Sequence, residues 1–341
     1  MLNQVYRLVS PRQIETQTVN ENLGTDDIIV RPTYLSVCHA DQRYFTGQRP
    51  PQVLSKKLPM ALIHEAIGTV VRDPQGIFKV GDTVAMIPDT PFEKDPIIRE
   101  NYLPTTKFRS SGYDGFMQEY VYLRRDRAVK VPDDFNLEMS AFLEMVSVGV
   151  RALMQLKETM DADDQSLGIW GDGNLGYITA VLAKSIFPDT KLYIFGRHQE
   201  KLAYFSFADE TYVVDSIPDD LTISQAIECT GGAGSAIAID QIINHIKPMG
   251  TAILMGVTEE PVDINTRDVL AKGLILQGTS RSGREDFEKA IEILSASPEA
   301  QSYLQNLIGI TKTVTTIPEI IDFFDMDLAN SWGKAVMHWK V

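Results

Sequence analysis

Over the first third of the chain, apolar and polar residues come in short alternating runs at 28–37, 62–71, 80–87 and 116–123, each broken by Gly, Pro or Asp. Alternation of that length predicts half-buried strands, so residues 5 to about 131 read as a β-rich domain. The period then lengthens: between 138 and 156 the apolar positions recur at helical spacing. From Leu167 onward, strand-like runs alternate with helical ones, which predicts a doubly wound parallel sheet with strands at 167–170, 192–195, 212–214, 226–229, 251–255 and 274–278. Helices at 286–294 and 318–324 and a last strand at 335–339 suggest a return to the first domain. The expected class is α/β, with a β-rich domain over 1–145 and 281–341 and a dinucleotide-type domain over 146–280. No repeat or low-complexity linker interrupts this plan.

Charge narrows the partners. The 46 acidic and 32 basic side chains give a net charge of -14, which repels nucleic acid and anionic lipid surfaces. An anionic small molecule therefore needs a local cluster of Arg and Lys working against that background. Two cysteines, Cys38 and Cys229, cannot build a disulfide framework or a four-cysteine zinc lobe. The sequence opens without a signal-peptide pattern, and no apolar run approaches the about 18 residues of a membrane span. A cytoplasmic protein is expected, with neither membrane nor nucleic acid as partner.

Gly171-Asp172-Gly173-Asn174-Leu175-Gly176 directly follows one predicted strand and precedes a helical run. In that setting the first glycine permits a tight turn, the second lets a pyrophosphate approach, and the third lets the helix pack close with its amides, Asn174 and Leu175 among them, toward the anion. A NAD enzyme places an acid at the end of the next strand to hold the adenosine ribose. Here Gly196, Arg197 and His198 occupy that end and Lys201 follows one turn later, which suits the 2'-phosphate of NADPH. Gly256, just past the fifth strand, is grouped with these cofactor residues.

Cys38, in Cys38-His39-Ala40-Asp41, follows a strand, and His64-Glu65 opens the next. Each alone suits a buried core position, yet a thiolate and an imidazole on neighbouring segments point to zinc. The third ligand is either Glu65 or Glu144, near the start of the run at 143–150, with the two glutamates and a water as alternatives. Asp41 is expected behind His64 or the water. Proton delivery falls to zinc-bound water, Glu65 or Tyr44.

Cys38-x-x-Asp41, His64-Glu65, the run from Glu144 to Gly149, the glycine turn and Ser282-Gly283-Arg284 stand together in the order of the medium-chain zinc-dependent dehydrogenases, whose polyol branch this chain resembles over nearly its whole length. Asn3-Gln4-Val5-Tyr6, Lys57-Leu58-Pro59-Met60, and Ser331-Trp332-Gly333-Lys334 are similar to the ribulose-5-phosphate reductases in that family. The resemblance implies a GroES-like catalytic domain with a Rossmann domain between its parts, one catalytic zinc and NADPH. It implies reduction of ribulose 5-phosphate to ribitol 5-phosphate for CDP-ribitol and cell-surface polymers such as teichoic acids or capsules. It further implies a dimer or tetramer and functional coupling to a ribitol-5-phosphate cytidylyltransferase. The family's structural zinc lobe, corresponding to about residues 88–110, lacks its cysteines here, so no structural zinc is expected. Ala40 stands where relatives often carry a relay hydroxyl, and Arg43 where sorbitol-type relatives carry His. Arg43, Lys57, Arg109 and Arg281 are the expected contacts of a substrate phosphate. The rival reading is a zinc-dependent dehydrogenase of an unphosphorylated polyol such as sorbitol, or of another alcohol.

Overall fold

A computed structural model describes residues 1–160 and 165–341. The chain divides into two units, one of Met1–Ser147, Ser282–Ser295 and Gln301–Val341, the other of Val148–Arg281 and Ala296–Ala300.

The first unit is built on a mostly antiparallel sheet whose central strand, Asp27–Ser36, lies between Glu65–Arg72 and Lys334–Trp339. Its register places Ser36 opposite both Glu65 and Val336. Two neighbouring antiparallel strands thus bring the segment after Ser36, with Cys38, to the same end of the sheet as His64 before Glu65. The strand Leu2–Ser10 pairs separately with Gln13–Asn20 and Met60–Ala61. Phe45 stacks on Phe324 with ring centroids 4.6 Å apart, and Tyr6 meets Trp339 edge-on at 5.4 Å; these aromatic contacts tie sequence-distant strands and helices into one core.

The continuous helix expected over 138–156 is two helices, Leu137–Ser140 and Leu143–Lys157. The Asn136 side chain accepts from the Met139 amide at 2.8 Å, and Ser140 Oγ donates back to the Asn136 carbonyl at 2.8 Å. These bonds satisfy a first short turn locally and let the chain restart before Glu144. A helix at Pro298–Gln305 and a strand at Ile308–Val314 add to the expected elements; the strand's alternate exposed residues are Gly309, Thr311 and Thr313, which weaken its apolar signal.

The second unit is a six-stranded parallel sheet in the order Glu210–Val213, Lys191–Gly196, Ser166–Trp170, Gln225–Glu228, Thr251–Leu254, Ile275–Gly278. That is the dinucleotide-binding strand order, with the first strand beside the switch point. Trp170 stacks on Phe195 at 3.9 Å and donates its indole N–H to Gln241 at 3.1 Å. No helix among the described residues is long and apolar enough to cross a membrane.

Candidate active site

Cys38 caps the short helix His39–Phe45. Asp41, three residues on, reaches back with Oδ2 to accept from the Cys38 amide at 3.2 Å, so the Cys-x-x-Asp spacing works as a capping box that holds the thiol at the helix start. The other oxygen of Asp41 accepts from the Ile63 amide at 2.9 Å and from Ser110 Oγ at 2.7 Å. Ile63 and Ser110 both have left-handed backbones, at φ 70° and 60°. A β-branched residue there is strained by about 1–3 kcal/mol, and the same buried carboxylate ties down both positions. Nδ1 of His64 lies 3.5 Å from Asp41 Oδ2, which leaves the other ring nitrogen for a metal.

Cys38, His64 and Glu65 each offer a ligand atom, and these atoms all lie within 4.8 Å of one another. Oε1 of Glu65 accepts from Lys334 Nζ at 2.8 Å, whereas its buried Oε2 has no hydrogen-bond partner. Thiolate, imidazole and an unsatisfied carboxylate oxygen in one place are the donor set of a zinc site with an open position. Burial pushes the His64 pKa down, but the charges of Asp41 and Cys38 outweigh it and hold the ring well above its ordinary value. A proton is thereby stabilised where a divalent cation fits. Glu144 lies outside the tight triad; burial, opposed by His64, pushes its carboxyl up to about 7.

Lys334 is a site residue that sequence reasoning missed. Its side chain is 1% exposed, and its Nζ donates to Glu65 and, at 2.9 Å, to the Val37 carbonyl. Burial lowers its pKa, and Glu65 followed by Cys38 more than restores it. Ser110 was missed as well. Nothing marks a serine followed by Ser-Gly as the partner of a carboxylate 69 residues away.

The expected phosphate contacts are divided between the two units of the chain. Arg109 donates through Nη1 to the Asp114 carbonyl at 3.1 Å and through Nη2 to the Tyr122 carbonyl at 2.9 Å, and its guanidinium lies over the rings of Tyr113 and Phe116. These contacts hold its own loop together. Arg281 belongs to the second unit. Arg43 and Lys57 belong to the first, where Lys57 Nζ donates to Tyr44 Oη at 3.0 Å and to Ser111 Oγ at 2.9 Å.

In the second unit Gly171 has φ 137°, and a Cβ on Gly176 would come within 2.0 Å of the Gly171 carbonyl oxygen, so the turn and the close helix start both require glycine. Around Gly173 a Cβ would meet no atom within 4 Å, an open cradle at the N-terminus of the helix Asn174–Ile186. Asp172 was not singled out by its sequence, yet its Oδ2 accepts from the amides of Arg197 and His198 at 2.7 and 2.8 Å and lies 2.9 Å from His198 Nδ1. The acid that a ribose-binding enzyme places at the strand end is here in the glycine turn, facing backbone amides. Arg197 is exposed and Lys201 half-buried on the next short helix. The Gly256 amide donates to buried Glu228 at 2.7 Å, which also accepts from Thr230 and Gly231.

Residues 24–133 match the alcohol dehydrogenase GroES-like domain, and residues 138–327 match the glucose dehydrogenase C-terminus. The chain is 49% identical to a ribulose-5-phosphate reductase of Bacillus spizizenii over 341 residues, covering 100% of both. It is also 49% identical to ribulose-5-phosphate reductase 2 of Staphylococcus aureus, again covering 100% of both. Among solved structures it is similar to S. aureus TarJ in complex with NADPH, with a TM-score of 0.89, 44% identity and 99% of each chain covered.

Proposed function

From the premise that this chain belongs to the medium-chain alcohol and polyol dehydrogenases, on the branch of the ribulose-5-phosphate reductases, we propose that it reduces D-ribulose 5-phosphate to D-ribitol 5-phosphate with NADPH. In this reading Cys38, His64 and Glu65 hold one zinc ion, with Glu144 as the alternative carboxylate, and the product feeds CDP-ribitol synthesis. The observation that carries it is the Cys38–His64–Glu65 cluster with its unsatisfied carboxylate oxygen. The NADPH complex of TarJ supports the cofactor.

When bound, the zinc supplies an electrophile for the ketone oxygen and the reduced nicotinamide supplies the hydride. The chain's own groups do the rest. Asp41 orients His64 and fixes the Cys38 loop. Lys334 offsets the charge of Glu65 without occupying its second oxygen. Tyr44 Oη receives the Lys57 donation, so its own O–H is left to deliver a proton, a service that Ala40 cannot provide. In this reading Arg197 and Lys201 would pair with the 2'-phosphate at the strand end whose Arg197 amide Asp172 holds.

The test is kcat/KM for D-ribulose 5-phosphate, D-ribulose, D-fructose and sorbitol with NADPH and with NADH, alongside elemental analysis. The reading expects about one zinc per chain, loss of activity on chelation, and a preference for the phosphorylated sugar of about two to four decades. Full activity of Cys38→Ser or of metal-free protein would sink the zinc assignment. Turnover of D-ribulose or sorbitol within about threefold of the phosphorylated sugar would sink the substrate.

A further inference from the structure

Glu228 ends the strand Gln225–Glu228 of the parallel sheet in the second unit, and its side chain is 0% exposed. Its carboxylate takes its hydrogen bonds from the backbone. Oε1 accepts from the amides of Thr230 at 2.8 Å and Gly231 at 3.0 Å, and Oε2 accepts from the Gly256 amide at 2.7 Å. Gly256 follows the neighbouring strand Thr251–Leu254, so one side chain joins the loops at the carboxyl ends of two adjacent strands. The Gly232 amide donates to the Val257 carbonyl at 2.9 Å and adds a second tie. A Cβ on Gly256 would stand 2.4 Å from both Glu228 oxygens, so this approach requires glycine.

Burying a carboxylate is costly unless hydrogen bonds stabilise the charge, and here backbone amides supply them. Withdrawing either loop would leave the charge short of donors away from water, so residues 230–232 and 256–257 are held as one body. That body also meets the phosphate turn. The Cys229 amide donates to the Trp170 carbonyl at 2.7 Å, and Thr230 Oγ1 donates to the same oxygen at 3.3 Å, one residue before Gly171.

In a sheet of this order the pyrophosphate belongs at the glycine turn and the adenosine ribose at the end of the next strand, here Lys191–Gly196. A dinucleotide spans the switch point, so its nicotinamide half extends the other way, over the carboxyl ends of Gln225–Glu228 and Thr251–Leu254. On the adenosine side Asp172 accepts from the strand-end amides. Glu228 does the corresponding work on the other side. We infer that Glu228 is a positioning residue for the nicotinamide half of NADPH, acting through the loops at Thr230–Gly231 and Gly256 without touching the cofactor itself. The inference rests on the proposed cofactor and deepens it by naming the group that shapes the reacting half of its site. It is independent of the substrate and of the zinc.

The experiment titrates wild type, Glu228→Gln and Gly256→Ala with NADPH, NADH and adenosine 2',5'-bisphosphate, which carries the adenosine half alone. Glutamine keeps the volume but turns one acceptor oxygen into a donor facing an amide. The alanine methyl instead pushes the loop off an intact carboxylate. In both variants Kd for NADPH should rise about tenfold or more, while Kd for the bisphosphate stays within about twofold. The ratio of NADPH to NADH affinity should also hold within about twofold, because the two cofactors share the nicotinamide half. Thermal unfolding identifies a misfolded Glu228→Gln, in which case Gly256→Ala decides on the same comparison. Equal losses for NADPH and the bisphosphate would make Glu228 a prop of the whole unit, and an unchanged Kd for NADPH would remove it from the cofactor site; either result overturns the inference. If wild type itself binds no NADPH, the proposed cofactor fails first.

Discussion

Replacing Lys334 with Met removes the ammonium from Glu65, whose side chain is 0% exposed and whose second oxygen already lacks a partner. Methionine fills similar volume, so the loss is mainly of charge and hydrogen bonds. The orphaned carboxylate must stay charged in a dry site or take a proton. Leaving that buried carboxylate without its ammonium should cost about 3–5 kcal/mol, the loss expected for breaking a buried pair. The assay is urea unfolding of metal-free wild type, Lys334→Met, Glu65→Gln and the double variant, followed by near-UV circular dichroism. Lys334→Met should lose about 3–4 kcal/mol, and the double variant should be more stable than the sum of the single losses by at least about 2 kcal/mol. A loss below about 1 kcal/mol, or strict additivity in the cycle, would refute the pairing argument.

Arg197→Ala should weaken NADPH binding by about 1.5–3 kcal/mol while leaving NADH nearly unchanged, and equal effects on both cofactors in fluorescence titrations would remove Arg197 from the 2'-phosphate site. Asp172→Asn should raise KM for NADPH by about tenfold or less, because the amides of Arg197 and His198 lose a charged acceptor; a crystal structure with an unmoved 197–198 loop and unchanged KM would contradict its positioning role. Burial raises the Asp73 pKa, but hydrogen bonds from Arg125 and from the amides of Phe78 and Gln75 override it and hold the carboxyl at about 2. Its contribution, about 2 kcal/mol, is therefore present above about pH 4 and lost as pH falls through about 2, so Asp73→Asn should destabilise at pH 7 and lose that deficit near pH 2 in acid-unfolding curves.

Local signals carried most of the architecture. Alternation marked the sheet strands of the first unit, and the glycine turn between a strand and a helix marked the nucleotide fold, because each depends on neighbours in sequence. Cys38 and Asp41 were legible for the same reason, being one helix cap. Lys334 was not, since a lysine opening an apolar strand reads as an exposed end. Only the register of Glu65 and Val336 on Ser36 shows that it is buried against a carboxylate 269 residues away. The surroundings of Arg109 were not legible either: in sequence a loop arginine reads only as a candidate anion contact, whereas in the fold two carbonyls and two rings engage it. Asp172 looked like filler between glycines because its acceptors belong to the next strand's end.

The interleaving of the units along the chain also bears on how the protein is made. The second unit is nearly contiguous, from Val148 to Arg281, whereas the first is resumed only after it. During synthesis, Cys38, His64 and Glu65 leave the ribosome early, while the strand Lys334–Trp339 that covers one edge of Asp27–Ser36 arrives after the second unit has emerged. Throughout that interval the growing chain carries an unpaired strand edge and a glutamate without its lysine, the state in which a nascent polypeptide is most prone to sticking to its neighbours and has most to gain from a chaperone.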